Sequence, residues 1–513
     1  MSGSNNRIAR NIVFMSARML VVLALTFVLT RKTLDILGVV DFGVYNVVCG
    51  FVSMFTFLNN SIYNGIQRFY NIYIGNGEHD GEARIYTMSL LIQGVLALLV
   101  IVLAESVGMW YMYNKMVIPP ERFSAAMWIF QFSVLSFAMI ILQAPFGAAV
   151  VAHERMDFLA VVSVLDVVLK LVMVVLLQYA DSDRLILYGA GLCALSGLNI
   201  LLYVIYCKHN FPELRWVRSS DKSLLRQMLV FSGWNVFGTF GGIIKEQGVN
   251  LVLNMFFGPV VNAARAISMQ VAAGIQSVII NITIPVRPQV VQSYASGDVG
   301  RSMRLTYAVS KVGCLILYAL ALPVIAEIDY ILSIWIPGNV PPHSAVFVIL
   351  VLLANFPNNL NTAVSGVVHA SGRMRNYQLA GAAISVLSVP VAYLVVRYGG
   401  KPEYALLVML VTAIVTQTVA LLILKTIVNY SVIEYVRKVL FPLLMVIAVT
   451  FYMPMLLLLL MDEGVLRLFV TGVVSVGVVT VASYFIALSS MERAALRNVI
   501  STWMSKNVHT KEY

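Results

Sequence analysis

Fourteen stretches of roughly 20 or more predominantly apolar residues follow one another along this 513-residue chain, joined by short polar connections. They lie at about 10–31, 40–62, 85–107, 124–148, 158–180, 185–206, 227–257, 261–286, 305–325, 343–368, 377–397, 403–427, 438–460 and 464–488. A helix needs about 20 apolar residues to cross the hydrocarbon core of a bilayer. Inside hydrocarbon each backbone N–H and C=O must be satisfied within the protein, and segments of this length achieve that as helices. The pattern predicts an all-α polytopic membrane protein with 14 transmembrane helices. Only 12% of the residues are charged and 60% are hydrophobic, against about 25% charged in soluble domains, so no sizeable soluble domain is expected between the segments. Arg7 and Arg10 precede the first apolar run as in a signal peptide, but Arg18 interrupts it and no small-residue cleavage site follows. Segment 10–31 is therefore read as a retained span. Cys49, Cys193, Cys207 and Cys314 fall in or beside apolar runs at no metal-like spacing, and read as small core residues rather than disulfides.

An even number of spans puts both termini on one side. With that side cytoplasmic, 22 of the 35 Lys and Arg fall on inner segments, 8 on outer loops and five within spans. The positive-inside rule then predicts that both termini are cytoplasmic. The net charge of +11 is an orientation signal, and the basic stretch from Lys208 to Arg226 is expected to meet anionic lipid headgroups; nucleic acid is not an expected partner.

The chain also repeats itself. Gly38, Gly77, Glu78 and Arg84 recur at one constant offset as Gly258, Gly297, Asp298 and Arg304. The offset spans six segments, so both copies have the same orientation, the parallel-repeat plan of many secondary transporters. The expected organisation is an N-lobe at 1–207, a cytoplasmic basic linker at 208–226 and a C-lobe at 227–430. Two extra spans at 431–489 and a cytoplasmic tail at 490–513 follow. Such a plan has two six-helix lobes around a central cavity.

Chemistry of the enzymatic kind is missing. No GxxxxGK[ST], HExxH, GxSxG or CxxC occurs, which removes the commonest ATPase, zinc-hydrolase, serine-hydrolase and dithiol signatures. Asp181-Ser182-Asp183 spells a DxD but sits in a very short loop, where a polar turn is the expected reading. The longest outer loops, near 108–123 and 326–342, are each shorter than one span, too short for the active site of a glycan polymerase or ligase. An enzyme is not expected.

An ionisable side chain inside a span marks a water-filled cavity or a partner. Away from the segment ends the candidates are Arg18, Asp166, Lys170, Lys245, Glu246, Arg265 and Lys311. Arg18 is near mid-membrane and too deep to snorkel easily. Lys311 is one or two turns into its helix and is expected to snorkel. Asp166 and Lys170 are spaced i, i+4 and can neutralise each other. Arg265 either snorkels outward or lines a cavity. Lys245 and Glu246 are adjacent, about 100° apart on a helix, and so cannot pair with each other. Gly238, Gly241, Gly242 and Gly248 thin that helix and admit close neighbours. The two ions line a cavity or pair with other helices. Asp41 precedes FGVY and reads as a helix N-cap.

Two local patterns, ILGVVDFGVYNVV at 36–48 and FFGPVVNAARAISMQ at 256–270, are similar to those entering the second and eighth helices of a known family. With the fourteen-span, two-lobe layout, nearly the whole chain resembles the polysaccharide flippases, the O-antigen (Wzx-type) translocases of the multidrug/oligosaccharidyl-lipid/polysaccharide exporter superfamily. The resemblance implies a multi-pass protein of the bacterial inner membrane. Such a protein turns undecaprenyl-diphosphate-linked oligosaccharides from the cytoplasmic to the outer leaflet by alternating access. It further implies a monomer whose partners are the lipid-linked oligosaccharide, membrane lipids and polysaccharide assembly proteins. It implies a cationic cavity, which Arg18, Lys245 and Arg265 fit by position as diphosphate ligands. No cofactor is implied; Glu246 and Asp166 are the candidates for carrying H+ or Na+ as coupling ion. Among the rivals, drug exporters of the MATE family have twelve spans and often an acid in the first helix, whereas Met15–Thr30 holds no acid and one Arg. The lipid II flippases share fourteen spans and cavity arginines.

Overall fold

The computed structural model describes residues 2–493 other than 77, 154, 218–221, 284–285, 337, 339, 372, 429–430 and 491. Side chains are described except at 2–18, 20, 75–76, 79, 222, 231–232, 234–235, 237–238, 281–282, 287–288 and 295. Every regular element among the described residues is a helix. The elements begin with α1 (Ser2–Ser53), α2 (Thr56–Asn76), α3 (His79–Leu103), α4 (Met109–Asn114), α5 (Phe123–Ala152), α6 (Met156–Leu176) and α7 (Arg184–Asn210). After the basic stretch come α8 (Lys222–Phe257), α9 (Pro259–Thr283), α10 (Arg287–Ala295), α11 (Val299–Ala326), α12 (Ile328–Trp335), α13 (Ser344–Ser371), α14 (Arg375–Arg397) and α15 (Pro402–Val428). The last passages are α16 (Val432–Tyr435), α17 (Phe441–Thr450) and α18 (Tyr452–Leu460), then α19 (Val465–Ala482).

The constant offset in the sequence reappears as helix geometry. Gly38 breaks α1 with φ 79°, and Gly258 separates α8 from α9 with φ 76°. Both occupy the left-handed region that a side chain disfavours and glycine accepts. The helix starts keep the same offset to within two residues: His79 of α3 answers to Val299 of α11, and Phe123 of α5 to Ser344 of α13. Met156 of α6 answers to Arg375 of α14, and Arg184 of α7 to Pro402 of α15. The residue pattern thus marks a repeat of six helical passages.

Among the described residues twelve helical segments are long and apolar enough to cross a membrane, where the sequence predicts fourteen. The first two expected segments are fused across Gly38 and count once, as Val21–Ser53. The other difference is polarity. α8 has 36 residues, about 54 Å of helix, but carries Lys222, Arg226, Lys245 and Glu246. α2 carries Asn59, Asn60, Asn64, Gln67, Arg68 and Asn71. These two polar helices pack on each other, with the Phe57 and Phe240 rings edge to face at 5.0 Å and the Ser61 and Thr239 hydroxyls 3.3 Å apart.

The chain forms two compact units. The first comprises Met1–Gln270, Trp335–Phe347 and Gln378–Thr412; the second comprises Val271–Ile334, Val348–Tyr377 and Ala413–Tyr513. In the first, Val47, Val48, Phe51, Val100, Ile129 and Phe130 centre one core cluster, and Ile66, Tyr70, Ile85 and Met228 centre another. In the second, Val364, Leu424, Tyr435 and Val446 of α13, α15, α16 and α17 are buried together.

Ion pairs fasten helix ends in both units. In the second, the fully buried Glu327 carboxylate accepts from Arg467 at 2.9 and 2.8 Å and from the Thr471 hydroxyl at 3.2 Å, which ties α19 to the end of α11. Lys311 does not snorkel. It is 4% exposed and its ammonium donates to Glu492 at 2.8 Å, a distant partner that no local pattern signals. In the first unit Asp41 is not a free cap. Arg122 donates to both its oxygens at 2.7 Å and to both oxygens of Asp183 at 2.7 and 2.9 Å. Asp183 also caps α7, accepting from the Leu185 and Ile186 amides, so the DxD works as a structural turn.

The Arg122 guanidinium holds the Asp183 carboxyl below the usual carboxylate range. Its stabilising contribution is therefore complete above the ordinary value of about 3.9 and lost as pH falls through the lower folded value. Asp183→Ala should lower stability by about 1 kcal/mol through the lost cap alone, seen as a lower melting temperature in detergent at pH 7. The gap between variant and wild type should close in acid.

Candidate substrate-binding site

The site is built on α8, because α8 brings charge into a chain otherwise poor in it. Helix geometry sends Lys245 and Glu246 in different directions, and each meets a different fate. Glu246 accepts from the Arg265 guanidinium of α9 at 2.8 Å, and Arg265 also reaches the Glu246 backbone carbonyl at 3.2 Å. The Arg265 side chain is 4% exposed and that of Glu246 is 35% exposed. Arg265 does not snorkel outward; it is folded inward against α8. Its Nη1 is buried and has no hydrogen-bond partner among the described residues.

Lys245 is half-buried and makes no ion pair or hydrogen bond among the described residues. Glu246 and Arg265 cancel in charge, so the cluster carries one net positive charge, and it sits on Lys245. An ammonium held there with no protein partner needs water or an anion.

The neighbouring part of α8 is polar and tightly packed. A side chain at Gly50 of α1 would lie 2.8 Å from the Gln247 carboxamide oxygen and 2.9 Å from the Asn250 nitrogen, so α1 passes α8 at backbone range. One turn on, a buried carboxamide ladder closes this end. Asn262 donates to the side chain and carbonyl of Asn250 at 2.8 Å, and Asn254 donates to Asn262 at 3.1 Å. Asn254 also exchanges two hydrogen bonds with the backbone of Val117, at 2.9 and 3.2 Å. This network holds the ends of α8 and α9 together and leaves the charged cluster on a fixed base.

The other candidates lie elsewhere. The backbone of Arg18 is helical, but its side chain is outside the described residues. Asp166 receives Lys170 at 2.6 Å and the Asn199 amide at 2.8 Å; it is part of an i, i+4 pair and touches none of Lys245, Glu246 and Arg265. In the second unit a cavity of about 220 Å³ is lined by Thr283, Thr306, Asn359 and Thr362 with aliphatic and glycine neighbours. Among the described residues no ionisable group lines it, so it offers no charge recognition.

No protein-family model matches the chain, and no curated protein sequence does. Solved structures do match. An inward-facing multidrug resistance MATE family transporter of the MOP superfamily superposes with TM-score 0.65 at 13% identity, over 82% of this chain and 98% of that chain. The lipid II flippase MurJ, in an inward closed conformation, superposes with TM-score 0.66 at 12% identity, over 93% of this chain and 98% of that one. A MOP superfamily transporter from Pyrococcus furiosus, described as having a binding pocket of reversed polarity, gives TM-score 0.56 at 12% identity, over 82% of this chain and 95% of that one. At these identities the likeness is one of fold: the chain is folded as MOP-type transporters are.

Proposed function

We propose that this protein is a flippase of the MOP superfamily that moves an undecaprenyl-diphosphate-linked oligosaccharide across the bacterial inner membrane by alternating access, in the service of surface polysaccharide synthesis. The observation that carries the proposal is Lys245, a cation without a protein partner among the described residues, beside a neutral Glu246–Arg265 pair in a membrane chain. A lipid diphosphate supplies the missing anion, and its tail can stay in the bilayer while its head group passes. No bond is made or broken, so the residues need only bind, shield and release.

Arg265 is the second donor in this scheme. Its unpartnered Nη1 points to spare hydrogen-bonding capacity, and a guanidinium engages phosphate oxygens in a fork. Glu246 is its counter-ion when no substrate is bound. A proton taken up by Glu246 would loosen that pair and release Arg265 to the phosphate, which makes H+ the coupling ion we favour. Arg18 is kept as a third candidate cation on its depth in the sequence alone. Both termini are placed in the cytoplasm on the strength of the 22-to-8 division of basic residues.

Coverage supports a flippase over a drug exporter. The MATE likeness accounts for 82% of this chain and the MurJ likeness for 93%, while each covers 98% of the solved chain. The extra length shared with MurJ is of the order of the two passages Val432–Leu460 and Val465–Ala487. The second reading is therefore a lipid II flippase. Disrupting the gene separates the two: surface glycan should disappear and its diphosphate-linked precursor accumulate inside, with cell-wall synthesis intact. Accumulation of the peptidoglycan precursor instead would give the function to the second reading.

A further inference from the structure

The exposed face of α2 has no part in the scheme above. On it Asn60, Asn64, Arg68 and Asn71 are exposed, with Gln67 half-buried among them. They stand at i, i+4, i+8 and i+11, with Gln67 at i+7, so they share one side of the helix. The stripe is about 16 Å long at 1.5 Å per residue. Asn60, Asn64, Gln67 and Asn71 make no hydrogen bond among the described residues.

This is not a lipid face. On α6 the exposed residues from 161 to 176 are Val161, Leu165, Val168, Val172, Val175 and Leu176, all aliphatic. On α2 the one large apolar side chain exposed among the described residues is Ile72. Each unsatisfied amide in hydrocarbon would cost several kcal/mol, and four in one row are not tolerated there. Nor is the stripe a demand of the fold. The equivalent positions of the second repeat, at the Gly38-to-Gly258 offset, are Ile280, Ile284, Arg287, Pro288 and Val291. The second copy of the repeat thus lacks the row of carboxamides in its sequence.

The chemistry narrows what a wet stripe of this kind binds. A carboxamide offers both donor and acceptor and no charge. That matches sugar hydroxyls, which also donate and accept; a phosphate only accepts and would leave the carbonyl half of each carboxamide unused. The position fits as well. Phe57 meets Phe240 and Ser61 meets Thr239, which puts Asn60 at the level of residues 239–240 of α8. Lys245 lies one to two turns further along α8, toward its Phe257 end. From Asn60 the stripe runs the opposite way, toward Asn76.

We propose that this stripe is the glycan subsite, binding the hydroxyl-rich saccharide of the substrate by its carboxamides while Lys245 holds the diphosphate. The proposal rests on the flippase reading. Its test uses the full-length protein in detergent with two probes: undecaprenyl diphosphate, and the diphosphate-linked oligosaccharide extracted from cells lacking this gene. Wild type should bind the glycan-bearing lipid at least ten-fold tighter than the bare lipid. The N60L/N64L/Q67L/N71L variant should lose that preference and bind the bare lipid as wild type does, at an unchanged melting temperature. A folded variant that keeps the preference overturns the stripe and leaves the flippase standing. Wild-type protein that binds neither lipid, or cells that accumulate no such glycolipid, overturn the flippase reading and the stripe with it. Should the fourfold variant not fold, N64C in a cysteine-free background gives the answer. A membrane-impermeant maleimide should label it, and the glycan-bearing lipid should slow labelling at least ten-fold more than the bare lipid. A cysteine that is not labelled, or that both lipids protect equally, overturns the proposal.

Discussion

Lys245→Ala protein should insert, fold and melt as wild type does, yet bind undecaprenyl diphosphate about ten- to a hundred-fold more weakly. The expectation follows from what surrounds the side chain. Lys245 has no ion pair or hydrogen bond among the described residues, so truncating it strands no partner, and alanine is a better helix former than lysine. The fold loses nothing it was using. The substrate loses one charge-assisted contact, about 1.5–3 kcal/mol, which corresponds to roughly ten- to a hundred-fold in affinity. The remaining affinity should fall less steeply with added salt, since one cation fewer is left to screen. Titration of the purified variant with the lipid, beside its melting curve, checks both halves. Wild-type affinity in a well-folded Lys245→Ala protein would remove the diphosphate site from α8.

Much of the fold is legible in the residues because membrane helices obey so few rules. Apolar runs of span length become helices with little choice, and the paired glycines Gly38 and Gly258 mark breaks that only glycine makes cheaply. The same rules explain where reading by apolarity alone falls short. α8 is long enough for a span and is read as one at 227–257, but its Lys, Arg, Glu and Asn side chains hold it below the apolarity of the twelve clear spans, and the Asn and Gln side chains of α2 do the same there. A hydropathy pattern measures what lipid accepts. It says little about a helix that does not face lipid on the side that matters.

The charged residues of α8 and α9 are visible in the sequence, and their pairings are not. Charge within apolar segments picks out Lys245, Glu246 and Arg265, and the i, i+4 spacing gives the Asp166–Lys170 pair outright. Spacing cannot reveal that Glu246 belongs to Arg265, in the next helix across a break, or that Lys311 belongs to Glu492. Those are tertiary facts. The Arg122–Asp41–Asp183 cluster escapes for a similar reason: each member sits near a helix end or bend, where a cap or a snorkelling side chain is the ordinary reading. The α2 stripe escapes because carboxamides carry no charge. A scan of the spans for Asn and Gln at helical spacing, as well as for ions, finds it.

The pairing decides the last expectation. Glu246→Ala should damage the protein itself before it damages transport. Removing the carboxylate leaves the Arg265 guanidinium 4% exposed with its main partner gone and Nη1 already unpartnered. Breaking a buried pair from one side costs roughly 3–5 kcal/mol. The lower end applies here, because the Glu246 side chain is 35% exposed and water can fill part of its place. The expected signs are a clear drop in melting temperature in detergent and a low protein level in the membrane. Glu246→Gln keeps a hydrogen-bond acceptor for Arg265 and should recover part of the loss. Removing both charges, Glu246→Leu with Arg265→Leu, should recover most of it, since replacing a whole buried pair by apolar side chains is often neutral or stabilising. That double variant then isolates function from folding. It is expected to be stable and unable to export glycan, because Arg265 is gone. Export at the wild-type rate by the double variant would reduce the Glu246–Arg265 pair to a fastening between α8 and α9, and would leave Lys245 as the sole phosphate ligand on these helices.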